Sequence, residues 1–220
     1  MVDSTTFDDG QSPQLCIPNV QDIRVVPIEP NHLPQVCQIM SDAFASKRGC
    51  LCVPTMESLQ ELQKRYTNMP EAKWKLGAVA VDSQGTVLGY TQMTTMGLPV
   101  YPEGLHTCVK GEMYIEIVAV SGAAQGKGIG TKLLQWCHET SLSQLDIQRL
   151  KLEVLRGNRA TGLYERFGFS IQKSGDCEDE CCGAMLVCIL FGRPYGICDE
   201  GWGSVEMEMT LERTQDMKRI

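Results

Sequence analysis

The run EMYIEIVAVSGAAQGKGIGTKLL, Glu112 to Leu134, constrains the fold more than any other stretch. Residues 112–120, apolar and β-branched apart from two glutamates, read as a buried strand. The run breaks at Ser121-Gly122 into small residues, then into Gly126, Lys127, Gly128 and Gly130, and turns amphipathic. Ile129, Leu133, Trp136 and Cys137 fall on one helical face, which predicts a helix to about Ser143. A strand that enters a helix through glycines leaves backbone N–H groups open at the helix start, where an anion is favoured. Two phosphate-binding patterns do not fit. A Walker loop needs Ser or Thr after Gly-Lys, and here Gly128 follows Lys127. A dinucleotide fingerprint needs G-x-G-x-x-G, and the third glycine here comes one residue too soon.

The rest of the chain sets this junction in a single α/β domain with a mixed sheet. Further strands are predicted at 22–29, at 75–82 and 86–95 around a Ser83–Gly85 turn, at 149–155, near 169–174 and at 205–211. Helices are predicted from Asn31 (Leu33, Val36, Met40), over Thr55–Asn68 (Leu59, Leu62, Tyr66) and over 159–167 (Ala160, Leu163, Tyr164, Phe167). Residues 1–20, polar and without period, read as a flexible arm, and 21–220 as the domain, carrying an insertion at 174–204. At 220 residues the chain suffices for one buried core.

A net charge of −7 disfavours nucleic acid as a partner. The 11 cysteines are scattered, the N-terminus lacks the makings of a secretory or mitochondrial leader, and the longest apolar run, AMLVCILF, is far short of a membrane span. These features predict a reduced, soluble, cytoplasmic protein with no membrane segment.

Gln125-Gly126-Lys127-Gly128-Ile129-Gly130 has the form Q-x-x-G-x-G and resembles motif A of the GCN5-related N-acetyltransferase (GNAT) superfamily. GNRATGLYERFGF, Gly157 to Phe169, resembles that superfamily's motif B: Ala160, Leu163, Tyr164, Gly168 and Phe169 match, while the usual asparagine falls on Gly157, with Asn158 one place along. The resemblance implies a mixed, mostly antiparallel sheet of six to seven strands flanked by about four helices. It also implies acetyl-CoA as co-substrate. Its diphosphate would lie on the backbone of Gln125, Gly126, Lys127, Gly128, Ile129, Gly130 and Thr131, with Lys127 adding a charge. Its amide-bearing arm would pair like an added strand along Ile117, Val118, Ala119 and Val120. Asn158, Ala160, Gly162, Leu163 and Tyr164 complete the expected cofactor surface. Gly162, costly inside a helix, suggests close packing there, with the cofactor as the candidate, and Gly168 suits a helix C-cap.

The implied chemistry is direct attack of a primary amine on the thioester in a ternary complex, so that no cysteine need be a nucleophile. Tyr164 stands where the family places a general acid beside the sulfur, or else is one member of its helix's apolar stripe. Glu116, a carboxylate in an apolar strand, is the candidate base, with a structural hydrogen-bonding role as the alternative. Strand alternation puts it on the face of Tyr114 and Val118. Glu153 is the reserve base, and the Val120 N–H a candidate oxyanion donor. Of the histidines, His32 and His138 read as structural or solvated, and His106 lies in a 98–111 loop where acceptor contacts could form.

Cys177, Cys181, Cys182, Cys188 and Cys198 in the insertion lack paired C-x2-C spacing, so no metal is expected. Asp176, Glu178, Asp179 and Glu180 form an acidic turn that would attract a cationic amine if it overhung the acceptor pocket. The expected function is acetylation of a small primary amine, amino acid or similar metabolite by a monomer or homodimer. The alternatives are a protein N-terminal or lysine acetyltransferase and a non-catalytic acyl-CoA sensor.

Overall fold

Seven strands form one sheet, and their order shows where that sheet opens. The computed structural model describes residues 22–45, 58–101, 106–155, 157–172 and 204–213. In chain order the strands are β1 (Arg24–Pro27), β2 (Gly77–Val81), β3 (Val87–Thr95), β4 (Glu112–Val120), β5 (Arg149–Leu155), β6 (Ser170–Ile171) and β7 (Ser204–Thr210). In space they run β1-β2-β3-β4-β5-β7-β6. Every neighbouring pair is antiparallel except β4 and β5. A parallel pair needs a crossover, and the helix α4 (Ile129–Ser143) supplies it. The other helices are α1 (Leu33–Ala45), α2 (Leu59–Asn68), α3 (Glu71–Trp74) and α5 (Thr161–Phe167). The sheet is the expected mixed, mostly antiparallel one. The four-residue α3 adds a helix to the expected four, being too short to show a period.

Local chemistry fixes the ends of these elements. Ser58 Oγ accepts from the Glu61 N–H, and the Glu61 carboxylate accepts from the Ser58 N–H, a capping box that starts α2. Asp82 Oδ1 accepts from the Gln84 and Thr86 N–H groups and closes the β2–β3 turn. Gly168, at φ 114°, ends α5 as expected.

Helices cover the sheet unequally. On one face, Leu134 and Cys137 of α4 and Tyr164 of α5 pack with Met93, Met113, Ile115, Leu150, Leu152 and Met207. Trp136 is only half-buried at the edge of this cluster, while Leu134 is fully buried. On the other face, Val36 and Ile39 of α1 and Leu62 and Tyr66 of α2 cover Val79, Val81, Tyr90 and Ala119. The predicted arm (1–20), the start of the second helix before Ser58, and the insertion (174–204) with its cysteines and acidic turn lie outside the described residues.

Candidate active site

The two central strands part company halfway along. β4 pairs with β5 only through Glu112–Ile115 opposite Arg149–Leu152. β5 stays paired with β7 to Leu155, and β4 with β3 to Val120, so the sheet forks beyond Ile115 and Leu152. Among the described residues no strand pairs with the β5-facing edge of 116–120. The Ser121 N–H bonds to the Leu88 carbonyl at 2.9 Å, on the β3 side. Successive strand residues turn their polar groups to opposite edges, so Val120 and Val118 present theirs to the fork.

Glu116 stands at the apex of the fork, in a bulge. Gln92 of β3 pairs with Ile117 and Met93 with Ile115, leaving Glu116 as the extra residue. The bulge corrects the simple alternation that put Glu116 and Val118 on one face. Ile117 and Ala119 pack toward α1 and α2, whereas Val118 joins the clusters beneath α4. Glu116 reaches the α1–α3 side. There Lys73 Nζ donates to Glu116 Oε1 at 2.6 Å, and the Tyr101 N–H donates to the same oxygen at 2.7 Å. The second oxygen, Oε2, is buried with no hydrogen-bond partner among the described residues.

Lys73 is the residue that sequence reasoning missed. Its side chain is wholly buried, donates also to the Pro99 carbonyl, and sits 4.8 Å from the centre of the Tyr101 ring. Burial pushes the Glu116 carboxyl up and the Lys73 ammonium down, and the pair's mutual attraction opposes both shifts. Nothing in EAKW distinguishes this lysine from the solvated Lys75 two residues on; only the 43-residue separation closed by the fold reveals it.

At the far end of the fork, Gly122–Ala124 forms one 3-10 turn and the chain enters α4 through Gly126 (φ 76°) and Gly128 (φ 74°). Gly128 occupies the N-cap position and brings no capping side chain, so the N–H groups of Ile129, Gly130 and Thr131 have no acceptor within the helix. The Ile129 side chain is buried, leaving only its backbone to a ligand. A Cβ on Gly130 would come within 3.0 Å of Leu163 Cδ2, so the two motifs meet here. Gln125 Nε2 reaches back to the Val120 carbonyl at 3.4 Å, and Lys127 Nζ donates to the Ala123 carbonyl at 2.7 Å, inside its own loop.

On α5, Asn158 Oδ1 accepts from the N–H of Ala160, the N-cap residue, a local capping bond. A Cβ on Gly162 would meet only the Arg166 guanidinium, at 3.4 Å, so the protein itself does not crowd this glycine. Tyr164 is buried with Phe169, Ile115 and Leu152, on the sheet face opposite Glu116, and burial pushes its hydroxyl up to about 12.

A charged surface extends from the fork on the Glu116 side. Tyr114, Lys151 and Glu208 stand in register across β4, β5 and β7, beside Glu112, Glu153 and Glu206. Lys151 Nζ lies 2.7 Å from Glu206 and 3.5 Å from both Glu112 and Glu208. His106 stacks on Tyr114 with ring centres 4.0 Å apart and bonds to Glu112. A cavity of about 360 Å3 opens beside it, lined by 97–100, His106, Thr107 and Cys108. His106, Cys108 and Glu112 bring their donor atoms within 4.8 Å of one another, but the Lys151 ammonium already faces Glu112. His32 accepts the Glu29 N–H through Nδ1, and His138 stands edge-on to Phe167.

A forked sheet whose open edge leads to an uncapped, glycine-started helix defines a class, and comparison with known proteins bears this out. The model of the acetyltransferase (GNAT) family matches residues 35–169, and the chain belongs to that family. An uncharacterized N-acetyltransferase of Schizosaccharomyces pombe is 27% identical over 128 residues, 58% of this chain and 50% of that protein. The chain thus spans about half the length of that curated relative.

Among solved structures, the Escherichia coli ribosomal-protein-S18-alanine N-acetyltransferase superposes with a TM-score of 0.55 at 18% identity, covering 88% of this chain and 97% of that one. A GNAT-like decarboxylase in complex with isobutyryl-CoA gives 0.58 at 16%, covering 86% and 100%. The Neisseria gonorrhoeae N-acetylglutamate synthase, complexed with coenzyme A and N-acetyl-glutamate, gives 0.54 at 13%, covering 87% and 35%. These likenesses establish the fold. Among the described residues no helix is long and apolar enough to cross a membrane.

Proposed function

We propose that the chain is an acetyl-CoA-dependent N-acetyltransferase acting on the primary amine of a small molecule in the cytoplasm. The observation that carries this reading is a buried carboxylate with one unpartnered oxygen at the apex of the fork, in line with an uncapped helix start. The residues fit acetyl-CoA: open N–H groups at 126–131 suit a diphosphate, and the free edge of β4 suits an amide-bearing arm. Acetyl-CoA supplies the activated acetyl carbonyl.

Glu116 performs the base step. Lys73 and the Tyr101 N–H hold Oε1, which fixes the carboxylate and leaves Oε2 to take a proton from the acceptor ammonium. A carboxylate raised by burial is a better base than an exposed one, and Lys73 keeps it ionised. The exposed Glu153 lacks that environment. The freed amine attacks the carbonyl, a C–N bond forms and the C–S bond breaks. The Val120 N–H, turned into the fork, stabilises the oxyanion. Tyr164, protonated at neutral pH and on the opposite sheet face, donates to the departing sulfur and regains the proton that the amide nitrogen sheds. Amine and leaving group are thereby served from opposite faces of the sheet.

Thiol release from acetyl-CoA in the presence of a panel of amines, amino acids and short peptides tests this. Amine-dependent release supports the reading. Tight acetyl-CoA binding without release on any acceptor would instead indicate a sensor, and release confined to peptides a protein acetyltransferase.

A further inference from the structure

The charged surface beside the fork carries an imbalance that the transfer step does not require. Ile115 and Leu152, the last paired residues of β4 and β5, both point into the core under α4. The next residue of each strand, Glu116 and Glu153, turns to the opposite face, so two carboxylates flank the mouth of the fork. Directly across β5 and β7, Glu153 pairs with Glu206. Like charges at such a position destabilise a sheet. Lys151 pairs with Glu206 at 2.7 Å but also serves Glu112 and Glu208, so three carboxylates share one ammonium and none of that charge is paired with Glu153. Glu153 accepts a hydrogen bond from Ser204 Oγ, and among the described residues no lysine or arginine pairs with it.

An independent observation on the same sheet face points to a ligand at the apex of the fork. Glu116 Oε2, on a side chain only 2% exposed, is buried without a partner. Tyr114 stands opposite Lys151 in the β4–β5 register, two residues before Glu116. Its hydroxyl is pushed far up, first by burial and then by Glu153, Glu116 and Glu206, which converge on it.

Resting on the acetyltransferase reading, we infer that the acceptor is a diamine or longer polyamine, its reacting nitrogen at Glu116 Oε2 and a second ammonium between Glu153 and Glu206. Such a ligand neutralises the cross-strand repulsion and gives the buried oxygen its missing donor. An acceptor bearing a carboxylate at the second position would meet the same two glutamates and be repelled. An acceptor with an alkyl end would leave Glu153 without a cation.

Three acceptors of matched length separate these cases: 1,4-diaminobutane, n-butylamine and 4-aminobutanoate, each assayed by acetyl-CoA-dependent thiol release. The inference predicts that kcat/KM for the diamine exceeds that for the monoamine by roughly tenfold or more, with the amino acid lowest. In Glu153→Gln and Glu206→Gln the diamine-to-monoamine ratio falls severalfold, because each variant removes one of the two charges that hold the second ammonium. Equal use of diamine and monoamine, or a ratio that survives both substitutions, overturns the inference while leaving acetyl transfer intact. Failure of every amine in the wider panel, with no heat on mixing with acetyl-CoA, overturns both.

Discussion

β2 and β5 are both interior strands of one sheet, yet they are built differently. β2 (GAVAV) is buried at all five positions, with helices on both of its faces. β5 (RLKLEVL) alternates: Leu150, Leu152 and Val154 are buried under α4 and α5, while Arg149, Lys151 and Glu153 form part of a polar face. The β2 side closes on itself, with its buried tyrosine and glutamine side chains paired: Tyr66 bonds to Tyr90 and to Gln92, and Gln92 Nε2 donates to the Lys73 and Met93 carbonyls. The β5 side stops pairing halfway along β4 and keeps an ionic pair buried with one oxygen unmet. A buried ion pair is poor value for stability, since well-packed apolar residues do as well or better. Both halves carry a packed apolar cluster, so the contrast lies in the polar groups: paired beside β2, and left partly unmet at the fork, where the proposed chemistry needs them.

Four substitutions probe the two regions separately. The largest effect is expected from Glu116→Gln, which keeps an oxygen for Lys73 and Tyr101 but cannot take a proton: kcat/KM should fall by about 10²–10⁴ with thermal stability close to wild type. A rate within a factor of two of wild type would remove Glu116 from the chemistry.

Next comes Lys73→Met, which strands the Glu116 charge in the interior. It should cost roughly 3–5 kcal/mol in denaturant unfolding, and the double variant with Glu116→Gln should recover much of this. The sign of the pH effect follows from the pair. Glu116, raised by burial, takes up a proton on folding, so its own contribution to stability falls as pH rises above the ordinary carboxylate range, while the lowered Lys73 contributes with the opposite sign at higher pH. Losing Lys73 removes the charge that holds Glu116 down, so the acid limb of kcat/KM should move to higher pH in Lys73→Met. An unmoved limb would show that another group is titrating.

Gly128→Ala forces a side chain into φ 74°, costing about 1–2 kcal/mol, and should raise the acetyl-CoA KM severalfold while sparing the amine KM. The smallest effect belongs to the other region. Ser58→Ala removes one bond of the α2 capping box, so about 1 kcal/mol of stability should be lost with kinetics unchanged. A kinetic defect there would show that the two regions are not separable.

The sequence discloses the fork's components better than its geometry. β4, α4 and β5 were legible almost to the residue, because an apolar strand, three glycines and a helical stripe follow one another without ambiguity. The bulge was not, because in YIEIVAV every residue but Glu116 is apolar, so a shift in alternation leaves no trace. Lys73 was hidden for a different reason: its role arises from contacts with Glu116, Pro99 and Tyr101, all distant in the chain. Lys127 and Asn158 were legible as positions but not as bonds, since each satisfies a neighbouring backbone group that motif spacing does not reveal. The like-charge pairing of Glu153 and Glu206 depends on the β5–β7 register, which joins residues far apart in the chain.

The central claim is that coenzyme A lies along the open edge of β4 with its diphosphate at the start of α4. Residue-resolved amide hydrogen exchange with and without coenzyme A tests it most directly. Exchange at Val118, Val120 and 126–131 should slow on addition of coenzyme A, with the buried β2 amides unchanged. Exchange at those positions that stays the same while the ligand is demonstrably bound would contradict it.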